Sequence, residues 1–185
     1  INADGKSMRC SREENNELFR LAIGGYGLFG LIDSVTLRLV PRQKLRRVVE
    51  IIRASDLPGR FEERIAQTFP YGDFQFSVDE KSPDFLQRGV FSCYQHVDED
   101  ELTVAKRHLG DDDWLELLRL AYTDREKAFK RYSDYYLSTN GQTYWSDTNQ
   151  LSPYLPDYAQ QIRAQIGGDE SSLVITEIYV PRSDL

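Results

Sequence analysis

The residues of this chain best suited to approach a ligand through their backbone are a cluster of glycines. The run Gly24-Gly25-Tyr26-Gly27-Leu28-Phe29-Gly30 places four glycines in seven positions. Each glycine in a helix interior costs about 1 kcal/mol relative to alanine, so we predict a turn here. A turn without Cβ atoms can adopt positive φ angles and bring its backbone close to a bulky group. The same composition also fits a plain connection between a helix and a strand.

Side chains that could act on a substrate occur near the C-terminal end. Residues 172–181 alternate between residue types, which predicts a strand. Glu177 and Tyr179 share one face of that strand, so their carboxylate and phenol could line a polar pocket, or could lie on an exposed face. A second candidate is the aromatic and amide cluster of Tyr144, Trp145, Asn149 and Gln150. Such residues suit ligand pockets, and they equally suit a loop that packs its own aromatics.

Other kinds of catalytic site are not indicated. The two histidines, His96 and His108, have no neighbours that suggest a metal site or a catalytic triad. The two cysteines, Cys10 and Cys93, are far apart and have no metal-ligand neighbours. We interpret the histidines as ordinary surface or hydrogen-bonded residues, and we predict no metal site.

A helix is predicted before the glycine run and a strand after it. Ser11 and Glu14 have the spacing of a capping box, and the apolar stretch that follows closes on Gly24, the residue type expected there. Residues 34–40 then alternate up to a proline, which predicts a half-buried strand. Its apolar members are Val35, Leu37 and Leu39. An Asp-Gly turn between two short extended pieces is predicted at residues 3–6.

The order of elements over residues 1–41 resembles the last part of the FAD-binding domain of FAD-linked oxidases. This flavoprotein family includes vanillyl-alcohol oxidase, p-cresol methylhydroxylase, and the sugar-lactone and alditol oxidases. The resembling segments are Asn2-Ala3-Asp4-Gly5, the helix end Glu17-Leu18-Phe19, the run Gly24–Ile32 and the strand Val35-Thr36-Leu37. The resemblance implies that residues 1–42 are the C-terminal part of an FAD-binding domain of the vanillyl-alcohol oxidase/PCMH type. Residues 43–185 would then be its substrate, or cap, domain, incomplete at the C-terminus.

The resemblance also implies where the chemistry takes place. In this family the glycine turn passes along the flavin, which assigns to FAD binding Gly27, Gly30, Leu31 and Ile32. In the sugar-lactone and alditol oxidases, a Glu-x-Arg pair on a cap-domain strand holds substrate hydroxyls. Glu177 matches that glutamate, but Tyr179 stands in place of the arginine, so specificity for polyols does not carry over. Both residues are assigned to the catalytic site on this resemblance.

The function implied is that of an FAD-dependent oxidoreductase. It would oxidise an alcohol-like small molecule, such as a sugar or a lactone, by hydride transfer to the flavin. The isolated chain is expected to be inactive and to retain no FAD, because the family's pyrophosphate-binding loop lies upstream of Ile1. The alternative class is a non-catalytic α+β domain that binds a ligand or a partner.

The rest of the chain predicts an antiparallel sheet with flanking helices. Strands are expected at residues 45–52, 74–79 and 89–97, and helices at residues 57–67, 111–122, 124–137 and 156–166. Residues 144–150 have no clear period. The order strand, helix, strand, strand opens a ferredoxin-like unit. The predicted fold class is therefore α+β: the end of an FAD-binding domain, then an antiparallel, ferredoxin-like cap domain with a helical insertion.

The composition indicates which kinds of partner and which compartment to expect. The net charge of −7 disfavours binding to nucleic acid. The sequence contains no run of about 18 apolar residues, so we predict no membrane span. Two cysteines favour a reducing compartment, so a cytoplasmic location is expected. Because the chain does not begin with Met, we expect a fragment of a longer protein. A basic cluster is interpreted as a solvated face: Arg42, Lys44, Arg46, Arg47 and Arg53.

Overall fold

The structure is a computed structural model that describes residues 1–106, 108–147, 158–167 and 181. The chain divides into two compact units, Ile1–Pro41 and Arg42–Leu185, and each is described by itself. The division lies one residue from the predicted domain boundary after residue 42. The identity of the two units as an FAD-binding domain and a cap domain stays a prediction.

The first unit contains one helix, α1 (Asn16–Ala22), between hydrogen-bonded turns. The side-chain oxygen of Asn2 accepts hydrogen bonds from the backbone N–H groups of Asp4 at 3.1 Å and Lys6 at 2.9 Å. Gly5 within this turn has a φ of +75°, so the predicted Asp-Gly turn is confirmed. Gly24, with a φ of +70°, follows the end of α1, as expected for a helix C-terminus.

Ser11 makes the predicted side-chain contact but does not start the helix. Ser11 Oγ accepts a hydrogen bond from the backbone N–H of Glu14 at 3.0 Å. Because the backbone N–H of Ser11 also donates to the Glu14 carbonyl at 2.7 Å, these residues close a turn of their own. The helix begins at Asn16, after Asn15, which has a φ of +48° and makes no side-chain cap. The predicted position of the cap was therefore wrong.

The strands predicted in the first unit are absent from its described residues. No residue between 1 and 41 belongs to a strand, so the predictions around the Asp-Gly turn and at residues 34–40 were wrong. Val35, Leu37 and Leu39 are 63%, 72% and 83% exposed. A strand needs a neighbour to satisfy its N–H and C=O groups, and no described strand lies beside residues 34–40.

The second unit is an antiparallel sheet flanked by helices. Its elements are β1 (Lys44–Arg53), a 3₁₀ turn (Ala54–Asp56), α2 (Leu57–Ala66), β2 (Tyr71–Phe76), β3 (Arg88–His96), α3 (Asp111–Thr123), α4 (Arg125–Ser138), β4 (Thr143–Trp145) and α5 (Tyr158–Ile166). The strands lie in the order β2-β3-β1-β4, and each pairing is antiparallel. The predicted α+β fold class is confirmed.

β4 is the main difference from the predicted sheet. Its three residues, too few to show a period, pair with β1 from Lys44 opposite Trp145. The segment 144–150 was predicted to be irregular, so this part of the prediction was wrong. With β4, the element order is β-α-β-β-α-α-β, that of a ferredoxin-like unit with one added helix. Residues 172–180 of the last predicted strand lie outside the described residues.

The two faces of the sheet differ in chemistry. Phe91 and Cys93 of β3, each 1% exposed, pack with Leu57 of α2 on one face. Phe61 of α2 meets Phe91 edge to face, with ring centroids 5.0 Å apart. Tyr94 points to the opposite face because neighbouring strand residues alternate. The face against α2 is thus an apolar core, whereas on the other face, beneath α4, the buried apolar residues Leu45, Val49 and Val90 lie among polar and aromatic side chains.

Candidate functional site

The glycine run is a series of turns in which three of the four glycines, and Tyr26 between them, have positive φ angles. The φ angle is +70° at Gly24, +77° at Gly27 and +135° at Gly30, a region that L-residues rarely adopt. A Cβ added at Gly25 would lie 2.1 Å from the carbonyl oxygen of Leu21. Each of the four positions therefore excludes a side chain for a stated reason, and the predicted turn is confirmed.

Gly30 brings the end of the turn against the start of the chain. The amino group of Ile1 donates to the carbonyl of Leu31 at 2.7 Å, and the N–H of Leu31 donates to the carbonyl of Ile1 at 3.0 Å. A Cβ on Gly30 would lie 2.6 Å from that Ile1 oxygen. The missing side chain is what permits this reciprocal pair.

Gly27 has free space beside it. No heavy atom lies within 4 Å of the position that its Cβ would occupy. The N–H of Leu28 donates within the turn to the Gly25 carbonyl at 2.9 Å, whereas the N–H groups of Gly27 and Ile32 donate to no acceptor within the described ranges. Ile32 is 62% exposed. The turn therefore offers backbone donors beside free space, where a ligand could approach the main chain closely.

The structure brings one of the two predicted groups of site residues together. The four positions assigned to FAD binding lie within one turn and its exit: Gly27, Gly30, Leu31 and Ile32. Glu177 and Tyr179 lie outside the described residues, as do Asn149 and Gln150 of the aromatic and amide cluster. Tyr144 and Trp145 of that cluster lie in β4.

Tyr144 belongs to a group that the sequence analysis missed, a buried arginine among tyrosines. Arg47 of β1 is 9% exposed, and its guanidinium carbon lies 5.3–5.6 Å from the ring centroids of Tyr94, Tyr136 and Tyr144. Its Nη1 donates to Thr139 Oγ1 at 3.2 Å. Among the residues that the structure describes, no carboxylate forms an ion pair with Arg47, so aromatic rings replace the usual counter-ion. We call these five residues the Arg47 cluster.

Burial and neighbouring hydroxyls set the protonation of the Arg47 cluster. Burial lowers the pKa of Arg47, but the phenols of Tyr94 and Tyr144 outweigh it, and the pKa is raised overall. Burial raises the pKa of both tyrosines. It also raises the pKa of the adjacent Tyr132, whose hydroxyl donates to Gln75. The guanidinium stays charged and the phenols of Tyr94 and Tyr144 stay neutral near pH 7, so these groups offer hydrogen-bond donors but no general base.

The basic cluster that begins at residue 42 is not a uniform solvated face. That interpretation was wrong for Lys44 and Arg47, which are 6% and 9% exposed. Lys44 Nζ donates to two backbone carbonyls of the acidic loop 98–101. The strand pattern contained the signal for Arg47, because it lies between Leu45 and Val49 on one face of β1, and both of these are buried.

The described residues show neither a membrane-spanning helix nor a cluster of metal ligands. None of their helices combines the length and apolarity needed to cross a bilayer. Within the same ranges, no three potential ligands from His, Cys, Asp or Glu come together to hold a metal ion.

Three known proteins, all oxidoreductases by name, match parts of this chain. D-arabinono-1,4-lactone oxidase of Debaryomyces hansenii is 39% identical over 57 residues, which are 31% of this chain and 10% of the relative. Cytokinin dehydrogenase 5 of Arabidopsis thaliana is 36% identical over 55 residues, 30% of this chain and 10% of that protein. Cytokinin dehydrogenase 4 of Oryza sativa subsp. japonica is 29% identical over 87 residues, 47% of this chain and 15% of that protein.

The matches cover a small part of each relative. The chain spans 10–15% of the length of the curated relatives that it matches. No family model matches the chain, and no solved structure matches it. The similarity is to oxidoreductases, one of them a lactone oxidase, and it supports the predicted class of enzyme without identifying the substrate.

Proposed function

We propose that this chain is part of an FAD-dependent oxidoreductase that oxidises an alcohol-like carbon, such as that of a sugar or a lactone. The observation that carries the proposal is the glycine turn, with left-handed φ angles at Gly24, Gly27 and Gly30 and open space beside Gly27. The partial matches to a lactone oxidase and two dehydrogenases support the reaction class. In this proposal residues 1–42 end an FAD-binding domain, and residues 43–185 belong to the substrate domain.

The residues of the turn fit a flavin on one side only. The side of Gly30 on which a Cβ would lie is occupied by the Ile1 carbonyl, so the cofactor would lie along the open side at Gly27. There the free N–H groups of Gly27 and Ile32 would donate to the flavin, and the exposed side chains of Leu31 and Ile32 would cover its apolar part. When bound, FAD supplies the chemistry by accepting the hydride.

The substrate side of the proposal depends on Glu177 and Tyr179. A carboxylate and a phenol on one strand face can hold and orient substrate hydroxyls, and the carboxylate can take the hydroxyl proton as the carbon is oxidised. Support for these roles comes from the alternation of residues 172–181 and from the resemblance to the sugar-lactone oxidases. The Arg47 cluster is a poorer candidate for the proton acceptor because the phenols of Tyr94 and Tyr144 stay neutral.

The first test is the visible absorption spectrum of the full-length gene product, purified without added cofactor. We expect a flavin spectrum from that protein and none from the 185-residue chain alone. A colourless full-length protein that also fails to take up added FAD would refute the proposal and favour the non-catalytic α+β domain. Tightly bound flavin on the 185-residue chain would refute the expectation that upstream residues are needed.

A matched pair of substitutions locates the flavin on the turn. Gly5 and Gly27 have nearly equal φ angles of +75° and +77°, and neither has a heavy atom within 4 Å of its Cβ position. Alanine therefore strains the backbone equally at both positions. In the full-length protein we expect Gly27→Ala to reduce bound flavin about tenfold, the equivalent of one lost contact, and Gly5→Ala to leave it unchanged. Equal flavin content in the two variants would remove Gly27 from the site.

A third variant tests the substrate residues without disturbing the cofactor. Glu177→Gln should retain bound FAD but slow its reduction by substrate about 100-fold, the usual cost of losing a general base. Stopped-flow absorbance would measure this rate. Unchanged reduction would remove Glu177 from the catalytic residues while leaving the flavin assignment intact.

A further inference from the structure

The segment that follows the glycine turn is an apolar surface without a partner among the described residues. Val35, Leu37 and Leu39 are spaced two apart and are 63–83% exposed. Three large apolar residues at strand spacing, all exposed, are more than the scattered single residues expected on a surface. The alternation is that of a strand, so what this segment lacks is a neighbouring strand.

The Ile1–Leu31 pair shows where such a neighbour begins. Two residues that exchange both N–H···O=C bonds form the hydrogen-bonded pair of an antiparallel ladder, and Ile1 and Leu31 do so at 2.7 and 3.0 Å. Because the two strands of such a ladder run in opposite directions, each step forward from Leu31 faces one step backward from Ile1. Continuing it past Leu31 requires chain that precedes Ile1.

We propose that residues 32–40 pair, as an antiparallel strand, with the nine residues that precede Ile1 in the full-length polypeptide. The inference rests on the proposed function, in which the polypeptide continues upstream. Its register follows from the Ile1–Leu31 pair: Val35 faces the fourth residue before Ile1, Leu37 the sixth and Leu39 the eighth. Pro41, which has no N–H, ends the ladder.

The register also specifies the chemistry of the partner. Val35, Leu37 and Leu39 share one face, so the fourth, sixth and eighth residues before Ile1 should be apolar, and β-branched or aromatic types would pair best. Residues on the other face lie opposite Ser34, Thr36 and Arg38. We expect polar residues there.

Disulfide trapping in the full-length protein tests this register. Thr36 is exposed and would face the fifth residue before Ile1 in a non-hydrogen-bonded pair, where Cα atoms lie about 4.5 Å apart, within the range that a disulfide spans. The test protein carries Cys10→Ser, Thr36→Cys and a cysteine at that fifth position. The buried Cys93 stays in place, since its pKa is raised to about 12 by burial and its thiol is unreactive.

The control moves the second cysteine to the sixth residue before Ile1, whose side chain points to the opposite face. We expect mild oxidation to cross-link the first variant at least tenfold more completely than the control, a ratio that corresponds to about 1.4 kcal/mol. Equal cross-linking of both variants, or of neither, would overturn the proposed register. Cross-links that form between molecules would identify a second copy as the partner instead.

Hydrogen exchange supplies a second measurement that needs no substitution. In this register the N–H groups of Asp33, Val35, Leu37 and Leu39 donate to the partner, so their amides should exchange about 100-fold more slowly in the full-length protein than in the 185-residue chain. Protection already present in the shorter chain would overturn the proposal, because the partner would then lie within residues 1–185. A flavin spectrum of the same sample separates the two proposals. Bound flavin without protection contradicts only the strand pairing, and protection without flavin contradicts only the proposed function.

Discussion

Residues 34–40 and strand β3 have a similar alternation of residue types and opposite environments. β3 lies between β1 and β2, and its Phe91 and Cys93 are each 1% exposed. Residues 34–40 have no neighbouring strand among the described residues, and Leu39 is 83% exposed. The comparison teaches that alternation determines which face a side chain takes, whereas a partner determines whether the segment becomes a strand at all.

The largest effect expected from this contrast is on stability. Phe91→Ala removes a fully buried ring that packs against Phe61, and should lower the free energy of unfolding of the 185-residue chain by about 3–5 kcal/mol. Leu39→Ala, at an exposed position, should change it by less than about 0.5 kcal/mol. Urea unfolding followed by hydrogen exchange of amides in both units would measure both. A loss at Leu39 as large as that at Phe91 would show that residues 34–40 are packed.

The two cysteines extend the comparison to reactivity. Burial raises the pKa of Cys93 from 9.0 to about 12, whereas Cys10 in the first unit is half-buried. At pH 8 the reactive thiolate of Cys93 is about 1,000-fold rarer than that of an ordinary cysteine. Iodoacetamide should therefore alkylate Cys10 in the native chain and reach Cys93 only in urea. Intact mass spectrometry counts the adducts, and two adducts on the native chain would contradict the burial of Cys93.

The same thiol makes stability depend on pH in the alkaline range. The folded state holds the proton of Cys93 more tightly than the unfolded state does. Its contribution to stability is therefore complete below pH 9.0 and is lost as the pH rises towards about 12. In urea unfolding at pH 8 and pH 10, Cys93→Ala should lose less stability with rising pH than the parent chain. Equal losses would exclude the thiol as the cause.

The smallest effect is local to the first unit. Gly24→Ala and Gly30→Ala both place a side chain at positive φ, which costs about 1–2 kcal/mol. Only the second drives a Cβ to 2.6 Å from the Ile1 carbonyl. We expect the amide of Leu31 to exchange about tenfold faster in Gly30→Ala and at the parental rate in Gly24→Ala. Equal exchange in both variants would mean that the Ile1–Leu31 pair does not require Gly30.

Local signals in the sequence predicted most of the helices and the long strands. α2 begins at the predicted Leu57 and ends one residue early at Ala66, and α3 begins at the predicted Asp111. Helical periodicity and the signals at helix ends lie within a few residues, so they can be recognised from the local sequence alone. The glycine turn was predictable for the same reason, since composition alone excludes a helix there.

Features that depend on distant residues were not predictable. β4 exists because Thr143–Trp145 lies beside β1, and three residues show no period of their own. The Arg47 cluster draws its tyrosines from β3, α4 and β4, so no local window contains it. The absence of a strand at residues 34–40 has the same origin, because pairing is a property of two segments.

Because β4 pairs with β1 from Lys44 opposite Trp145, this edge of β1 stays unpaired until β4 has been synthesised. β1 leaves the ribosome about a hundred residues before β4, and at the usual elongation rate of 5–20 residues per second its outer edge stays open for roughly 5–20 s. An unpaired apolar edge invites other chains to pair with it. Arg46 and Arg47 lie in that stretch, and charged residues on an open edge strand disfavour such pairing.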